Sequence, residues 1–256
     1  MIRVFKSILE WTQFREVELS NTSLGFVPTM GALHAGHQAL VEKSVRENAR
    51  TLVSIFVNPT QFNDPQDFKT YPVTLDADSK LLQKAGSDYL LFPDYNELYP
   101  DHYTYKISEK AFSTELCGAH RLGHFDGVLT VVMKLLQIAN AKRAYFGEKD
   151  YQQLSLIEEM KKAFFIKTEI VPVPTVRERD GLAMSSRNLR LTAQEREIAP
   201  LFYKLLSNFE LSSTQIKYEL TSSGFVVDYV EERVGRRLGA AVLGSVRLID
   251  NVEMKK

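Results

Sequence analysis

The chain has 256 residues, enough for one large domain or two smaller ones. Apolar residues make up 44% of it and charged residues 25%, a balance that excludes a wholly disordered polymer. Its 32 basic and 32 acidic side chains cancel, which gives no net field for nucleic acid, and the single cysteine, Cys117, excludes an intrachain disulfide.

From the start, Met1 to Trp11 is interrupted by Arg3, Lys6 and Glu10 and shows no continuous secretory apolar stretch. Leu24–Val27 reads as a strand and Gln38–Asn48 as a helix. Between them runs Pro28-Thr29-Met30-Gly31-Ala32-Leu33-His34-Ala35-Gly36-His37. In an open α/β sheet such a turn faces the ligand crevice, and the first amides of the next helix attract phosphate. Two imidazoles in that place suit the α-phosphate of a nucleotide that is gaining charge, and Gly31 and Gly36 let the main chain come close. Alone, the tetrapeptide His34–His37 is equally a helix cap with two surface histidines.

Leu52–Val57, apolar apart from Ser54, fits a strand buried on both faces. The amides of Asn58 and Gln61 directly after it suit a small polar substrate, or else are solvated in a Pro59 turn. A helix is predicted over Leu75–Ala85, where Asp76 and Asp78 are candidates for Mg²⁺, although acids there also complement a helix dipole. Tyr89–Phe92 is the next strand. Arg121 and His124, both candidates for facing the cleft, precede a helix at Val128–Ala139 with Asp126 as its N-cap. Val128, Val131, Val132, Leu135 and Ala139 share one face of it. The apolar stretch Gly127 to Ala141 is too short to span a bilayer and carries Lys134, so a soluble cytoplasmic protein without membrane partners is expected.

Ala144–Phe146 leads into Gly147-Glu148-Lys149-Asp150, where Lys149 can neutralise a phosphate oxygen and Asp150 can bind a ribose hydroxyl. The plainer alternative is a capping Asp150 and a solvated Lys149. A helix over Tyr151–Ala163 carries Gln152 and Gln153 in its first turn, one of them expected to point into the cleft. Ile166–Val171 completes a doubly wound, Rossmann-like parallel α/β sheet. Pro172 and Pro174 mark a change, so residues 1–175 are taken as the first domain and 176–256 as a smaller α+β domain. The latter opens with the polar loop Thr175 to Asn188, whose Ser185, Ser186 and Arg187 can gather a triphosphate tail or form an ordinary turn. Helices near Thr192–Ser207 and Thr214–Thr221 follow, then strands at Phe225–Val230 and Ala241–Ile249. Cys117 has no activating neighbour in sequence and is read as structural.

Together, the segments Pro28 to His37, Phe56 to Phe62, Gly123 to Val128, Tyr145 to Leu154 and Met184 to Asn188 resemble the pantoate–β-alanine ligase (pantothenate synthetase) family. The two histidines and the Ser-Ser-Arg loop are similar to the HIGH and KMSKS elements of adenylate-forming nucleotidyl transferases. The resemblance implies attack of pantoate on the α-phosphate of ATP, then capture of the pantoyl adenylate by β-alanine, with Mg²⁺ present. It also implies residue roles. Met30, Gly31, Ala32, Leu33, His34, Ala35, Gly36 and His37 would hold ATP, with His37 as proton donor and His34 as its partner. Gly147, Glu148, Lys149, Asp150, Val176, Met184, Ser185, Ser186 and Arg187 would complete the ATP site. Gln61 would contact pantoate and β-alanine, Gln153 pantoate, and Asp78 would lie near the metal. A homodimer is implied too. Compared with the family, the segment between Val226–Val230 and Arg247 to Asn251 reads as shortened. The rivals are a transferase that stops after attaching AMP to a phosphate ester, a nucleotide-binding domain without turnover, and an aminoacyl-tRNA synthetase, for which the chain lacks a tRNA-reading domain.

Overall fold

The computed structural model describes residues 2–254. Met1, Lys255 and Lys256, the ends of the two predicted domains, lie outside the described residues. In chain order the first part contains β1 (Arg3–Phe5), α1 (Ile8–Glu18), β2 (Leu24–Thr29), α2 (Ala35–Glu47), β3 (Arg50–Ile55), α3 (Pro65–Lys69), α4 (Leu75–Lys84) and β4 (Tyr89–Leu91). It continues with α5 (Tyr95–Leu98), α6 (Cys117–His120), α7 (His124–Ala139), β5 (Arg143–Gly147), α8 (Tyr151–Ala163) and β6 (Glu169–Val173). Chain contacts divide the protein into one unit of Met1–Gly147 with Gln152–Val173 and another of Glu148–Tyr151 with Pro174–Lys256. Residues 148–151, inside the segment taken as the first domain, thus cluster with the second unit.

All six strands of the first unit are parallel, in the order β1-β4-β3-β2-β5-β6. The order reverses at β2, whose neighbours are β3 and β5. β2 pairs with β3 along Leu24 to Thr29, but with β5 only at Gly25 and Phe26. The two strands therefore separate before their carboxyl ends, where open α/β sheets bind ligands. Val27, Val53, Ile55, Leu90 and Tyr145 pack with Leu40 and Val41 of α2 and Leu82 of α4. Trp11 of α1 donates its indole N–H to the Ile138 carbonyl of α7 at 3.0 Å.

α7 buries Val128, Val131, Val132, Leu135 and Ala139, the expected stripe, and Leu129 and Leu136 beside it. Each large side chain so buried contributes roughly 1.5–3 kcal/mol. The helix begins three residues earlier than a cap at Asp126 would give: Gly123, at φ +76°, is the N-cap, and Asp126 lies within the first turn. β1 and α1 are additional to the elements read from sequence.

The second unit carries α9 (Ala193–Ile198), α10 (Pro200–Leu206), α11 (Ser213–Ser222), β7 (Val226–Arg233), β8 (Arg236–Leu243) and β9 (Val246–Glu253). The single helix expected at Thr192–Ser207 is two, because Pro200 has no N–H to continue the first. The strand expected over Ala241–Ile249 is likewise two, joined at Gly244, whose φ of +58° supplies the hairpin turn. β7, β8 and β9 form an antiparallel sheet. Phe202, Leu206, Ile216, Leu220 and Phe225 pack with Val230, Ala241 and Leu248 as its core. The fold class is that expected: a Rossmann-like parallel sheet with a smaller α+β unit.

Candidate active site

The β2–α2 turn is fixed from both ends. Thr29 accepts from the Gly31 N–H at 3.3 Å and donates to the Ser54 carbonyl at 2.8 Å. Gly31 and Ala32 both take left-handed conformations, φ +81° and +51°. A Cβ on Gly31 would also press to 3.1 Å from Ile55 and 3.2 Å from Asp78. The Asp78 carboxylate, 2% exposed, holds this strained backbone. Its oxygens accept from the N–H groups of Ala32 at 3.0 Å and Leu33 at 2.8 Å, and from the Thr74 hydroxyl at 3.1 Å. That is a structural task unlike the metal role expected. Among the described residues no group of three or more His, Cys, Asp or Glu is placed to hold a metal ion.

His34 is the N-cap of α2, and its Nδ1 accepts from the Gly36 N–H at 3.1 Å. Reciprocally, the Nδ1 of His37 accepts from the His34 N–H at 3.3 Å. The ring centroids lie 4.1 Å apart. Both Nδ1 atoms act as acceptors, so each neutral ring carries its proton on Nε2. The helix start therefore joins oriented main-chain amides to two imidazole donors, a setting that favours an anion.

Gln61 comes to this turn from the β3 side. Its Nε2 donates to the Met30 sulfur at 3.0 Å, and its Oε1 accepts from Asn58 Nδ2, also at 3.0 Å. Asn58 is 1% exposed and its amide is spent internally, donating also to the Gly127 carbonyl and accepting from the Tyr99 and Thr60 hydroxyls. It therefore orients Gln61 and does not present its own amide to a substrate. Burial pushes the Tyr99 phenol up to about 12, so it stays a donor. His124 and Arg121 bond each other at 2.9 Å and both reach the Gln61 carbonyl, at 2.8 and 3.3 Å. Gly127 lets α7 lie against this turn, since a Cβ there would sit 2.4 Å from the Thr60 carbonyl oxygen. A mainly apolar cavity of about 530 Å³ lies beside Met30 and Gly31, with Ile55, Val57 and Phe92 in its wall.

The two glutamines on α8 differ. Gln152 is buried, accepting from the Cys117 N–H at 3.0 Å and donating to the carbonyls of Phe112 and Glu115. Gln153 is half-buried and enters none of these bonds. At the end of β5, a Cβ on Gly147 would meet nothing within 4 Å.

In the second unit, Lys149 pairs with Asp150 at 3.2 Å. The loop bearing Met184 to Arg187 leaves the chain as a small two-sided arm. The Met184 N–H donates to the Val176 carbonyl at 3.0 Å, and Arg177 bridges to Ala183. Ser185 caps the following short 3₁₀ turn by accepting from the Arg187 N–H at 3.2 Å. At the root, Arg177 forms a two-pronged pair with Asp250, at 2.5 and 2.9 Å, and stacks on Tyr203. Arg196 joins Glu178 at 2.5 Å and Asp180 at 2.6 Å, and Glu178 also accepts from Asn188 at 2.9 Å.

A family model described as pantoate–β-alanine ligase matches residues 3–253. The chain belongs to the pantoate–β-alanine ligase family. A pantothenate synthetase of Bdellovibrio bacteriovorus is 52% identical over 254 residues, covering 99% of this chain and 100% of the relative. One from Legionella pneumophila is 51% identical over 250 residues, covering 98% of this chain and 99% of that relative. The crystal structure of the Francisella tularensis ligase, complexed with β,γ-ATP and β-alanine, is similar with a TM-score of 0.94 and 41% identity, covering 99% of this chain and 98% of that one. The short C-terminal segment is therefore shared with ligases of matching length.

Tyr99, Glu178, Arg196 and the Arg177–Asp250 pair are supports that the sequence does not mark, and Asp78, marked there only as a metal candidate, is another. Local spacing does not signal them, because their main partners are distant in the chain: Asp78 lies 46 residues from Ala32, Tyr99 41 from Asn58, Arg196 18 from Glu178 and Asp250 73 from Arg177.

Proposed function

We propose that this chain condenses pantoate with β-alanine in an ATP-dependent, AMP-forming reaction that yields pantothenate through pantoyl adenylate. Family membership supports the overall reaction. The observation that carries the chemistry is the reciprocal His34–His37 cap, which engages both Nδ1 atoms at a helix N-terminus, on the turn whose Met30 meets Gln61. In the first step a pantoate carboxylate oxygen bonds to the α-phosphorus, the bond to the bridging oxygen breaks, and pyrophosphate leaves. His37 donates to the phosphate as charge builds, with His34 as its partner. In the second step the β-alanine nitrogen bonds to the acyl carbon, AMP departs with the electrons of the C–O bond, and the nitrogen releases a proton.

No side-chain nucleophile is needed, because the adenylate already supplies a good leaving group. Catalysis is then positioning and charge stabilisation. The Met30 to His37 turn, Gly147 to Asp150, Val176 and Met184 to Arg187 hold ATP in this reading, with Lys149, Ser185, Ser186 and Arg187 at the phosphates. Gln61 takes pantoate and β-alanine. Gln152 is tied to the main chain of 112–117, which leaves Gln153 for pantoate. Mg²⁺ enters with ATP as part of the substrate. The donor set around Asp78 does not fit a resident metal, since both its oxygens already serve N–H groups. A homodimer in the cytoplasm is part of the proposal, supported by the family resemblance and checked by light scattering and cell fractionation.

The test mixes purified protein with ATP, Mg²⁺, pantoate and β-alanine. AMP and pantothenate should appear together, and omission of β-alanine should leave pantoate-dependent exchange of pyrophosphate into ATP. A dinucleotide-type product, or no turnover at all, would replace this reading with the transferase or the silent binder.

A further inference from the structure

Two adjacent residues of β9 hold two separate segments that carry proposed ATP contacts. Successive side chains on a strand point to opposite sides. On one side Asp250, 3% exposed, grips Arg177 with both oxygens. Arg177 also donates to the Gly181 carbonyl at 3.1 Å and bridges to Ala183, and its neighbour Val176 accepts from Met184. Asp250 thus sets the root of the Met184 to Arg187 loop. On the other side Asn251, also 3% exposed, donates from Nδ2 to the carbonyls of Glu148 at 2.8 Å and Lys149 at 3.1 Å.

The second grip is reinforced. Asn251 Oδ1 accepts from Arg236 at 2.8 Å, and the same guanidinium reaches Glu148 at 2.9 Å and lies 4.4 Å over the Tyr151 ring. Glu148 before Lys149 and Tyr151 two residues after it are therefore clasped by Arg236, while the Lys149 carbonyl is held by Asn251. The Asn251 N–H closes the device by donating to Asp250 Oδ1 at 2.8 Å. Only a side-chain amide offers two N–H bonds to carbonyls and an acceptor to a guanidinium from one position.

We propose that Asp250 and Asn251 are a positioning pair, which keeps the Lys149 segment and the Met184 to Arg187 loop in a fixed spatial relation so that both meet one triphosphate. The proposal rests on the ATP-site reading above. Donors that stabilise a developing charge work because they are already in place, and a misplacement of about 1 Å can cost about 10²-fold in rate.

Asn251→Asp separates this role from general stability. It keeps the shape and the acceptor for Arg236, and removes both bonds to the 148–149 carbonyls. Pantoate-dependent ATP–pyrophosphate exchange should fall roughly 10- to 100-fold with a raised KM for ATP. The KM values for pantoate and β-alanine should be unchanged, and so should the far-ultraviolet spectrum. The deciding measurement is a cycle with Lys149→Ala. If Asn251 acts through Lys149, Asn251→Asp should cost less than about 2-fold in the Lys149→Ala background. A full multiplicative loss there, or wild-type exchange in Asn251→Asp alone, overturns the proposal. Should Asn251→Asp not fold, Arg236→Lys keeps the charge but cannot bridge Asn251 and Glu148 together. A few-fold rise in KM for ATP is then expected, and an unchanged KM overturns the pair. Lys149→Ala alone tests the underlying reading, because wild-type exchange in that variant would remove Lys149 from the ATP site whatever Asn251 does.

Discussion

The turn from Met30 to His37 hangs from one buried carboxylate and a helix cap, whereas the loop from Val176 to Arg187 is fastened at its root by paired charges. In the first, the bonds run mostly to main-chain N–H groups, so they fix the backbone itself, including the left-handed Ala32. In the second, the bonds join long side chains, and Arg196 and Asp180 keep 31% and 38% of their side-chain surface in water. Exposed pairs of that kind are worth about 0–1 kcal/mol each. The first turn is set through bonds to its own backbone, whereas the second combines one buried two-pronged pair, Arg177 with Asp250, and outlying pairs that stay partly in water.

Asp78→Ala attacks the rigid side and should have the largest effect. It strands two main-chain donors and one hydroxyl, at about 3–5 kcal/mol of stability by analogy with a broken buried charge. Urea denaturation would show it as a lowered midpoint, and an unchanged midpoint would mean that the turn does not need its anchor. His37→Ala keeps the fold and should slow adenylate formation roughly 10²- to 10³-fold, if its donor acts in the transition state. Single-turnover formation of adenylate at the normal rate would remove that role. Arg196→Ala tests the looser side and should cost about 1 kcal/mol or less, with exchange activity reduced only a few-fold.

Acid sharpens the same contrast. Burial pushes the Asp180 carboxyl up, but its bonds from Arg196 and the Leu182 N–H more than reverse this, leaving it below the usual aspartate value. A carboxyl lowered in the folded state contributes stability above its unfolded value, about 3.9, and loses it as pH falls through the lower folded value. Hydrogen-exchange protection of the Leu182 amide should therefore weaken as pH falls below about 4, and Arg196→Ala should flatten that dependence. Protection that is independent of pH in the unsubstituted protein would show that the latch does not use the Asp180 charge.

The sheet was legible because β3 is mostly apolar along its buried length, with only Thr51 and Ser54 polar, and α7 repeats its apolar face every three to four residues. β1 escaped notice because Arg3–Phe5 is only three residues long, two of them exposed. The β8–β9 hairpin was read through because Leu243 and Val246 continue the apolar run on either side of its turn, although Gly244-Ser245 is a hairpin signal. At the site, local motifs showed which residues are chemically able, but not which are already occupied. Asn58 and Gln152 look as available as Gln61 and Gln153 in sequence, and only packing reveals that their amides are consumed inside the protein. Asp78 illustrates the same limit. Its partners lie 46 and 45 residues upstream, so spacing along the chain said nothing of its duty to Ala32 and Leu33.

Gly127 carries a consequence for how this protein can vary. The Thr60 oxygen and the Gln61 nitrogen already fill the space that any larger residue would need, at 2.4 and 2.8 Å from a hypothetical methyl. Alanine there would have to pry the Pro59–Gln61 turn off the first turn of α7. The amide proposed to touch both substrates would move with it. Mutational drift at this position should therefore be abrupt, with function lost at the first methyl group and no graded series of weaker enzymes between.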